Sequence, residues 1–483
     1  MHEGDSSPHK LFIGGAWSDS ARATEDINPS DLHDVVGLYA QADVADCNSA
    51  VDAARHAAPV WAASTPQQRF DALDFIGGEI LARKEELGRL LAREEGKTLP
   101  EALGEVARAG GIFKYFAGEA LRSGGEHLSS VRPGIEVDVL REPLGVVALI
   151  TPWNFPFAIP AWKTAPAIAF GNTVVLKPAE LVPGCAWALA EIISRSGVPP
   201  GVFNLLVGKG SVVGDALVNN PDVAGVSFTG SAAVGRRIAP VCASRLTRVQ
   251  LEMGGKNPLV VLDDAALDVA VNAAVNGAFF STGQRCTASS RIIVTEAIHD
   301  RFVAALCKRL QALKVDDALA PGTDIGPVVD RTQLEKDLSY IELAKHEGGV
   351  LAFGGERVQR AKEGFYLTPA LFTETSNTMR LNTEEVFGPV AGVIRARDYD
   401  EALALANDTP YGLCAGICTS SLKHASHFRI HAQAGMVMVN LPTAGVDYHV
   451  PFGGKKGSSY GTREQGAYAI DFYTIPKTCY TAP

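Results

Sequence analysis

The sequence predicts an α/β fold built around a mainly parallel sheet, on two observations. Between residues 140 and 255, short apolar runs alternate with stretches of helical length and periodicity. The runs are apolar throughout, as strands buried on both faces of a parallel sheet are. In chain order, Val146-Val147-Ala148-Leu149-Ile150, Thr173-Val174-Val175-Leu176, Val202-Phe203-Asn204-Leu205-Leu206-Val207 and residues 223–228 read as strands, with Val249-Gln250-Leu251 as a further one. Residues 185–196, 211–220 and 231–243 read as the helices between them. The repeated βαβ unit is Rossmann-like, and such sheets hold ligands at the carboxyl ends of their strands.

Upstream, residues 45–120 read as mostly helical, with 46–58, 66–83 and 84–96 as separate helices packed on the same unit. After Gly255, Leu259-Val260-Val261-Leu262 opens a second α/β unit, in which 267–280 is helix-like and 291–295 strand-like. The first domain therefore ends close to Glu252. Alternating polar and apolar residues over 134–140, together with 468–480, predict strands that extend from the body. Edge strands of that kind usually need a partner. The expected division is 1–120 with 141–253, then 254–450, and a small β arm of 121–140 with 465–483.

At 483 residues the chain is too long for one core, and 46% hydrophobic with 20% charged residues is an ordinary globular composition. A net charge of −10 argues against a nucleic-acid partner, which would need clustered Lys and Arg. The eight cysteines are scattered without the spacing of a disulfide framework or a zinc site, which fits a reducing cytoplasm. Cys414 and Cys418 have no histidine nearby to complete a tetrahedral site, so no metal is expected. His427 and His431 read as one face of a solvated helix within 420–434. The first residues lack the basic start and apolar core of a signal peptide, and no long apolar run occurs, so neither export nor a membrane is expected.

Two segments carry chemistry. Cys286 lies in Ser281-Thr282-Gly283-Gln284-Arg285-Cys286-Thr287-Ala288, in the loop between the helix-like and strand-like stretches of the second unit. Glu252 lies upstream in Leu251-Glu252-Met253-Gly254-Gly255-Lys256-Asn257-Pro258. A thiol attacks a carbonyl well only as thiolate, and the thioester it leaves is released only if something deprotonates water beside it. The pair supplies both functions. Taken singly, Cys286 reads as a buried small hydrophobe, Glu252 as a strand-end carboxylate and Asn154 as a turn residue.

These two segments, occurring together and in this order, resemble the aldehyde dehydrogenase superfamily. Further matches run from Ile13-Gly14-Gly15-Ala16-Trp17 and Asn28-Pro29-Ser30 to Pro451-Phe452-Gly453-Gly454, so the resemblance spans essentially the whole chain. It implies oxidation of an aldehyde to a carboxylate by Cys286, through a thiohemiacetal and a thioester. It further implies that the Asn154 amide and the Cys286 backbone N–H stabilise the oxyanion, and that Glu252 activates the hydrolytic water. Family members pair through arms, which implies a homodimer or homotetramer.

The expected cofactor is NAD or NADP. Ile150, Thr151 and Trp153 follow one strand and Lys177 and Glu180 the next, and Gly225-Val226-Ser227-Phe228-Thr229-Gly230-Ser231 leads a strand into a helix. Alone, Gly-x-x-x-x-Gly reads as a tight turn. The resemblance implies that Phe228, Gly230 and Ser231 lie near the pyrophosphate, that Gly210 and Gly214 border the cofactor, and that Gly235 allows close helix packing. It also implies that Lys177 and Glu180 bind the adenine-side ribose, and that Glu385 and Phe387 of Glu384-Glu385-Val386-Phe387-Gly388-Pro389 serve the nicotinamide end. Lys209 is a candidate to offset a phosphate.

For the substrate, Arg285 and the stretches 157–163 and 440–450 resemble bacterial α-ketoglutaric semialdehyde dehydrogenases of sugar-acid breakdown. The implied substrate is a small aldehyde with a remote carboxylate, and succinate semialdehyde is the alternative. Arg285 is either a bidentate clamp on that carboxylate or a member of a structural ion pair. Trp162 and Phe452 either line the aldehyde tunnel or pack in the core. Lys163 reads as an exposed or ion-paired lysine. A dinucleotide-binding protein without turnover, and a nicotinamide-independent thioesterase, are the readings from other classes.

Overall fold

The computed structural model describes residues 7–483. Five parallel strands form the heart of the first sheet, in the spatial order Arg248–Met253, Gly225–Gly230, Val146–Ile150, Thr173–Lys177, Phe203–Leu205. Every residue of Val146–Ile150 and of Thr173–Lys177 is buried, as their unbroken apolar character requires. Strand order reverses between Val146–Ile150 and Gly225–Gly230, so the loops after these two strands diverge and leave a crevice. Antiparallel strands complete the edges: Leu11–Ile13 and Ala16–Ser18 beyond Phe203–Leu205, and Ser459–Tyr460 beyond Arg248–Met253.

The chain changes sheets between Met253 and Pro258. The second sheet runs Val350–Gly354, Ala370–Thr373, Val390–Ala396, Arg291–Thr295, Pro258–Val261, Cys414–Cys418, Met436–Val439, parallel except for its first pair. A third, antiparallel sheet joins Thr474–Thr481, Glu136–Pro143 and Glu126–Ser129, and exposes Leu128, Leu140, Ile475 and Tyr480.

The helices of the first unit start where their sequences offer caps. Asp43 and Asp46 form a reciprocal capping box at the start of Val44–Ala62, and Thr65 and Gln68 do the same for Pro66–Ala82. Lys84–Glu95 ends at Gly96 in the left-handed conformation, with φ +89°. The 24-residue helix Leu99–Arg122 buries Val106, Ile112, Phe113 and Phe116 in the first core.

The expected helix over 211–220 is present as a continuous helical segment, with a π-helical turn, Gly210–Gly214, running directly into the α-helix Asp215–Asn219. Two expectations need correction. Residues 468–480 are not one strand, because helical turns at Ala467–Ala469 and Ile470–Tyr473 bury Phe472 and Tyr473 in the first core before Thr474–Thr481 extends. Gly225 stands at the start of its strand, packed toward Leu144 and Val147, so only Gly230 of the two glycines reaches the crevice. Cys414 and Cys418 are buried at the two ends of one strand, and the rings of His427 and His431 stack 4.0 Å apart on one helix. Among the described residues no helix is long and apolar enough to cross a membrane.

Two buried carboxyls give the fold a pH signature. Burial pushes both Glu95 and Asp337 up to about 8. A carboxyl raised in this way contributes stability that is fully present below its unfolded value of about 4 and is lost as pH rises from there to its folded value, by up to about 1.4 kcal/mol per unit. The melting temperature should therefore fall from about pH 5 to about pH 8 and level off above that. Asp337→Asn should make that fall shallower, and an identical slope in wild type and variant would refute the assignment.

Candidate active site

Three cavities lie in line across the carboxyl ends of the first sheet. The largest, about 1110 Å³, is bordered by Ile150, Thr151 and Trp153 after one strand and by Lys177 and Glu180 after the next. Phe228, Gly230, Ser231, Gly210 and Gly214 line it as well. It shares Trp153, Thr229, Gly230 and Ser231 with a chamber of about 180 Å³ that holds Asn154, Glu252, Cys286, Glu385 and Phe387. That chamber in turn shares Trp162, Cys286 and Phe452 with a funnel of about 380 Å³ on the opposite side. Cys286 thus stands where the two approaches meet.

The first cavity fits a dinucleotide. Ser231 caps the helix Ala232–Ser244, whose N-terminus faces the crevice as an anion site. Gly235 lets this helix pack close to the sheet, since a Cβ there would lie 2.4 Å from the Met253 sulfur and would displace that side chain. The hydroxyls of Thr151 and Thr229 are buried without a partner, two polar groups left for a ligand. Burial pushes Lys177 down to about 8, its ammonium donating to the Pro178 carbonyl at 2.8 Å. Glu385 accepts from the Gly255 N–H at 2.9 Å, and a Cβ on Gly254 would meet its carboxylate at 2.0 Å. Phe387 has a φ of +68° and meets Trp153 edge-on, centroids 5.3 Å apart. Lys209 is not among the lining residues of this cavity.

The loop that carries Cys286 is held by unusual backbone. Ser281, Thr282 and Gly283 are successively left-handed, with φ of +49°, +57° and +66°. One Glu101 oxygen accepts from the Ser281 N–H, the Ser281 hydroxyl and the Arg285 guanidinium, each at 2.9 Å. Asn257 ties the other side, donating to the Cys286 and Ala288 carbonyls at 2.8 and 2.9 Å. The Asn154 amide donates to the Gln284 carbonyl at 2.9 Å, which leaves its second N–H for the chamber. Burial, with the carboxylates of Glu385 and Glu252 adding to it, pushes the Cys286 thiol up to about 12.

Glu252 is the last residue but one of its strand and is 2% exposed. Ser459, its partner across the sheet edge, donates to one carboxylate oxygen at 2.5 Å, and the other oxygen has no partner. Burial and the nearby Glu464 carboxylate raise its proton affinity well above the ordinary range, opposed by Ser459, Lys163 and Arg463. Glu464 itself is in a buried ion pair with Lys163 and accepts from the Trp162 indole at 2.7 Å. Lys163 also donates to Ser227 at 2.7 Å.

On the funnel side, Trp162 and Phe452 are both buried and both line the cavity, ring centroids 5.5 Å apart. Arg285 lines the funnel too, but its guanidinium is committed to Glu101 and to the Asn276 carbonyl and amide oxygens at 3.2 and 3.3 Å. Of the two alternatives for Arg285, the ion pair is the arrangement present. The stretch after Met436–Val439 docks on the loop that carries Cys286 through Thr443, whose hydroxyl donates to the Thr287 carbonyl at 2.6 Å and meets Ser289 at 2.5 Å.

Several residues of the site were missed from sequence. Lys97 donates to Glu105 at 2.6 Å and to the Asn154 carbonyl at 2.8 Å, and lies 3.8 Å over the Phe155 ring. Glu105 accepts from the Phe157 and Ala158 N–H groups at 3.0 Å, so this pair fixes the loop that presents Asn154. One signal was available: Glu101, Glu105 and Arg108 recur at helical spacing in a helix that is otherwise rich in alanine and glycine. For Ser459 and Glu464 no local signal exists, because they reach Glu252 only through the return of the chain to the first sheet.

Residues 17–479 match the model of the aldehyde dehydrogenase family. The chain is 44% identical over 480 residues to the α-ketoglutarate semialdehyde dehydrogenase of Haloferax volcanii, covering 98% of this chain and 99% of that protein. It is 43% identical to the α-ketoglutaric semialdehyde dehydrogenase of Bacillus subtilis, covering 98% of each. Its fold is similar to that of betaine aldehyde dehydrogenase from Staphylococcus aureus in complex with NAD⁺, with TM-score 0.95, 36% identity, and 98% and 94% of the two chains covered. An NADP-dependent enzyme of Escherichia coli is similar too, with TM-score 0.95, 35% identity and 98% of each chain covered. With these matches spanning both sheets and every wall of the three cavities, the chain belongs to the aldehyde dehydrogenase family.

Proposed function

We propose that this chain oxidises α-ketoglutaric semialdehyde, a short aldehyde with a carboxylate at its far end, to α-ketoglutarate with NAD or NADP. The observation that carries the reading is the shared chamber: Cys286, Asn154 and Glu252 line one small space that opens to a dinucleotide-sized cleft on one side and a separate funnel on the other. The named relatives at 43–44% identity support the choice of aldehyde.

The residues divide the work as follows. Cys286 attacks the aldehyde carbon, and the oxygen that becomes negative is met by the free N–H of Asn154 and the backbone N–H of Cys286. When bound, the dinucleotide supplies the hydride acceptor, held by the strand-end loops, with Glu385 and Phe387 at its nicotinamide end. Lys97 and Glu105 fix the backbone around Asn154, so the oxyanion donor needs no rearrangement during the reaction. Glu252, whose raised proton affinity suits a base, takes a proton from water, and the hydroxide releases the acid from the Cys286 thioester. We read the unit around the first sheet as the cofactor domain and the unit around the second as the catalytic domain. The exposed three-stranded sheet is the arm of a cytoplasmic homo-oligomer, and its apolar Leu128, Leu140, Ile475 and Tyr480 support that reading.

Glu252→Gln separates the two halves of the reaction. Steady-state turnover should fall about 10²- to 10⁴-fold while a single burst of reduced nicotinamide survives. Loss of the burst together with turnover would falsify the division of roles. Without cofactor, the high thiol pKa has its own consequence. Alkylation of Cys286 by iodoacetamide should accelerate by about tenfold per pH unit from pH 6 to 9. A plateau below pH 8 would mean that the thiolate is already stabilised in the free enzyme. For the substrate, kcat/KM for α-ketoglutaric semialdehyde should exceed that for pentanal, and equal values would remove the carboxylated aldehyde from consideration.

A further inference from the structure

The funnel that leads to Cys286 carries an uncompensated charge. Four of its charged side chains cancel in pairs: Lys97 with Glu105 at 2.6 Å, and Arg285 with Glu101 at 2.9 Å. Both carboxylates are further occupied, Glu105 by the Phe157 and Ala158 N–H groups and Glu101 by Ser281 and Thr98. Arg108 is the fifth. It lies one turn beyond Glu105 on the helix Leu99–Arg122 and lines the same funnel as Cys286.

Among the described residues Arg108 has no ion pair. Its guanidinium donates to two neutral acceptors, the Val446 carbonyl and, at 2.9 Å, the Gln465 side-chain oxygen. It lies over the Trp162 ring, its central carbon 5.9 Å from the centroid. Glu105 and Asp447 act on it only at longer range. A guanidinium partly withdrawn from water without a carboxylate partner lacks a counter-charge that an anion would supply. Its two neutral bonds hold the planar group in place and leave its other donors for that anion, while Trp162 confines it to the funnel wall that the aldehyde must pass.

Resting on the reading of the substrate given above, we propose that Arg108 binds the remote carboxylate of the aldehyde and sets the preference for a carboxylated chain. Arg285 instead serves the nucleophile loop. The planar fork of Arg108 suits a carboxylate, and a lysine in its place would keep the charge without the paired geometry.

The test is the ratio of kcat/KM for α-ketoglutaric semialdehyde to that for pentanal, measured in the holoenzyme. Arg108→Met should lower this ratio about 10- to 100-fold, chiefly through KM for the semialdehyde, the range expected of hydrogen bonds to a charged group. Arg108→Lys should lower it less, and because it keeps the cation it guards against a variant that fails to fold. Arg285→Lys, which keeps the positive charge opposite Glu101, should leave the ratio where it is. A ratio unmoved by both Arg108 substitutions, or lowered as far by Arg285→Lys as by Arg108→Met, overturns the assignment. A wild-type ratio near one would instead sink the carboxylated-aldehyde reading itself, before any variant is made.

Discussion

The site depends on one carboxylate. Glu101 holds the left-handed run Ser281-Thr282-Gly283 by accepting from the backbone and hydroxyl of Ser281 and from Arg285. Two of those three residues have side chains, and each non-glycine in this conformation costs about 1–3 kcal/mol. Gly283 has no alternative, since a Cβ would lie 2.2 Å from the Gly388 carbonyl. Just beyond this run, Cys286 packs against Leu413, Cys414, Met436 and Phe452 and lines the chamber that also holds Asn154 and Glu252 of the first unit. Because Glu101 comes from the helix Leu99–Arg122 of the first unit, the same bonds that fix the loop also fasten the two units together at the thiol.

Around that loop the charges are arranged by burial. Glu252 has one oxygen bonded to Ser459 and one without a partner, beside the Lys163–Glu464 pair. A carboxylate in this position has a high proton affinity because it lacks solvent, and because Glu464 opposes its charge. The lysine across the network moderates that effect without contacting Glu252 directly. Cys286 experiences the same low-polarity surroundings with two carboxylates nearby, so the free thiol keeps its proton. Glu252 and Cys286 thus both hold a proton more tightly in this chamber than they would in water.

The sequence made the parallel strands legible because they are buried on both faces and need no alternation. Cys286, Glu252 and Asn154 are legible through the family resemblance of the segments that carry them, since taken singly each reads as an ordinary structural residue. Arg285 stands next to the nucleophile and drew attention for that reason, but its side chain turns back to Glu101. Arg108 lies far from every recognisable segment and enters the funnel through helix geometry alone. Local pattern gives the position of a residue along an element. It does not give the direction of a long side chain or the identity of a partner brought in from a distant segment, as with Lys97 and Asn154 or Ser459 and Glu252.

The return of the chain to the first sheet explains why the C-terminal segment belongs to the active site. Ser459–Tyr460 pairs with the strand that ends at Glu252, and the residues that follow carry Arg463, Glu464 and Gln465 inward. Glu464 meets Lys163 and Trp162, and Gln465 meets Arg108, so adjacent residues of one turn touch the base network and the funnel wall. Gln465 has a φ of +61°; Glu464 accepts from the Trp162 indole, and Gln465 accepts from Arg108, which lies over the Trp162 ring. Trp162 therefore touches both the Lys163–Glu464 pair and Arg108, and the single turn carrying Glu464 and Gln465 contacts each of them.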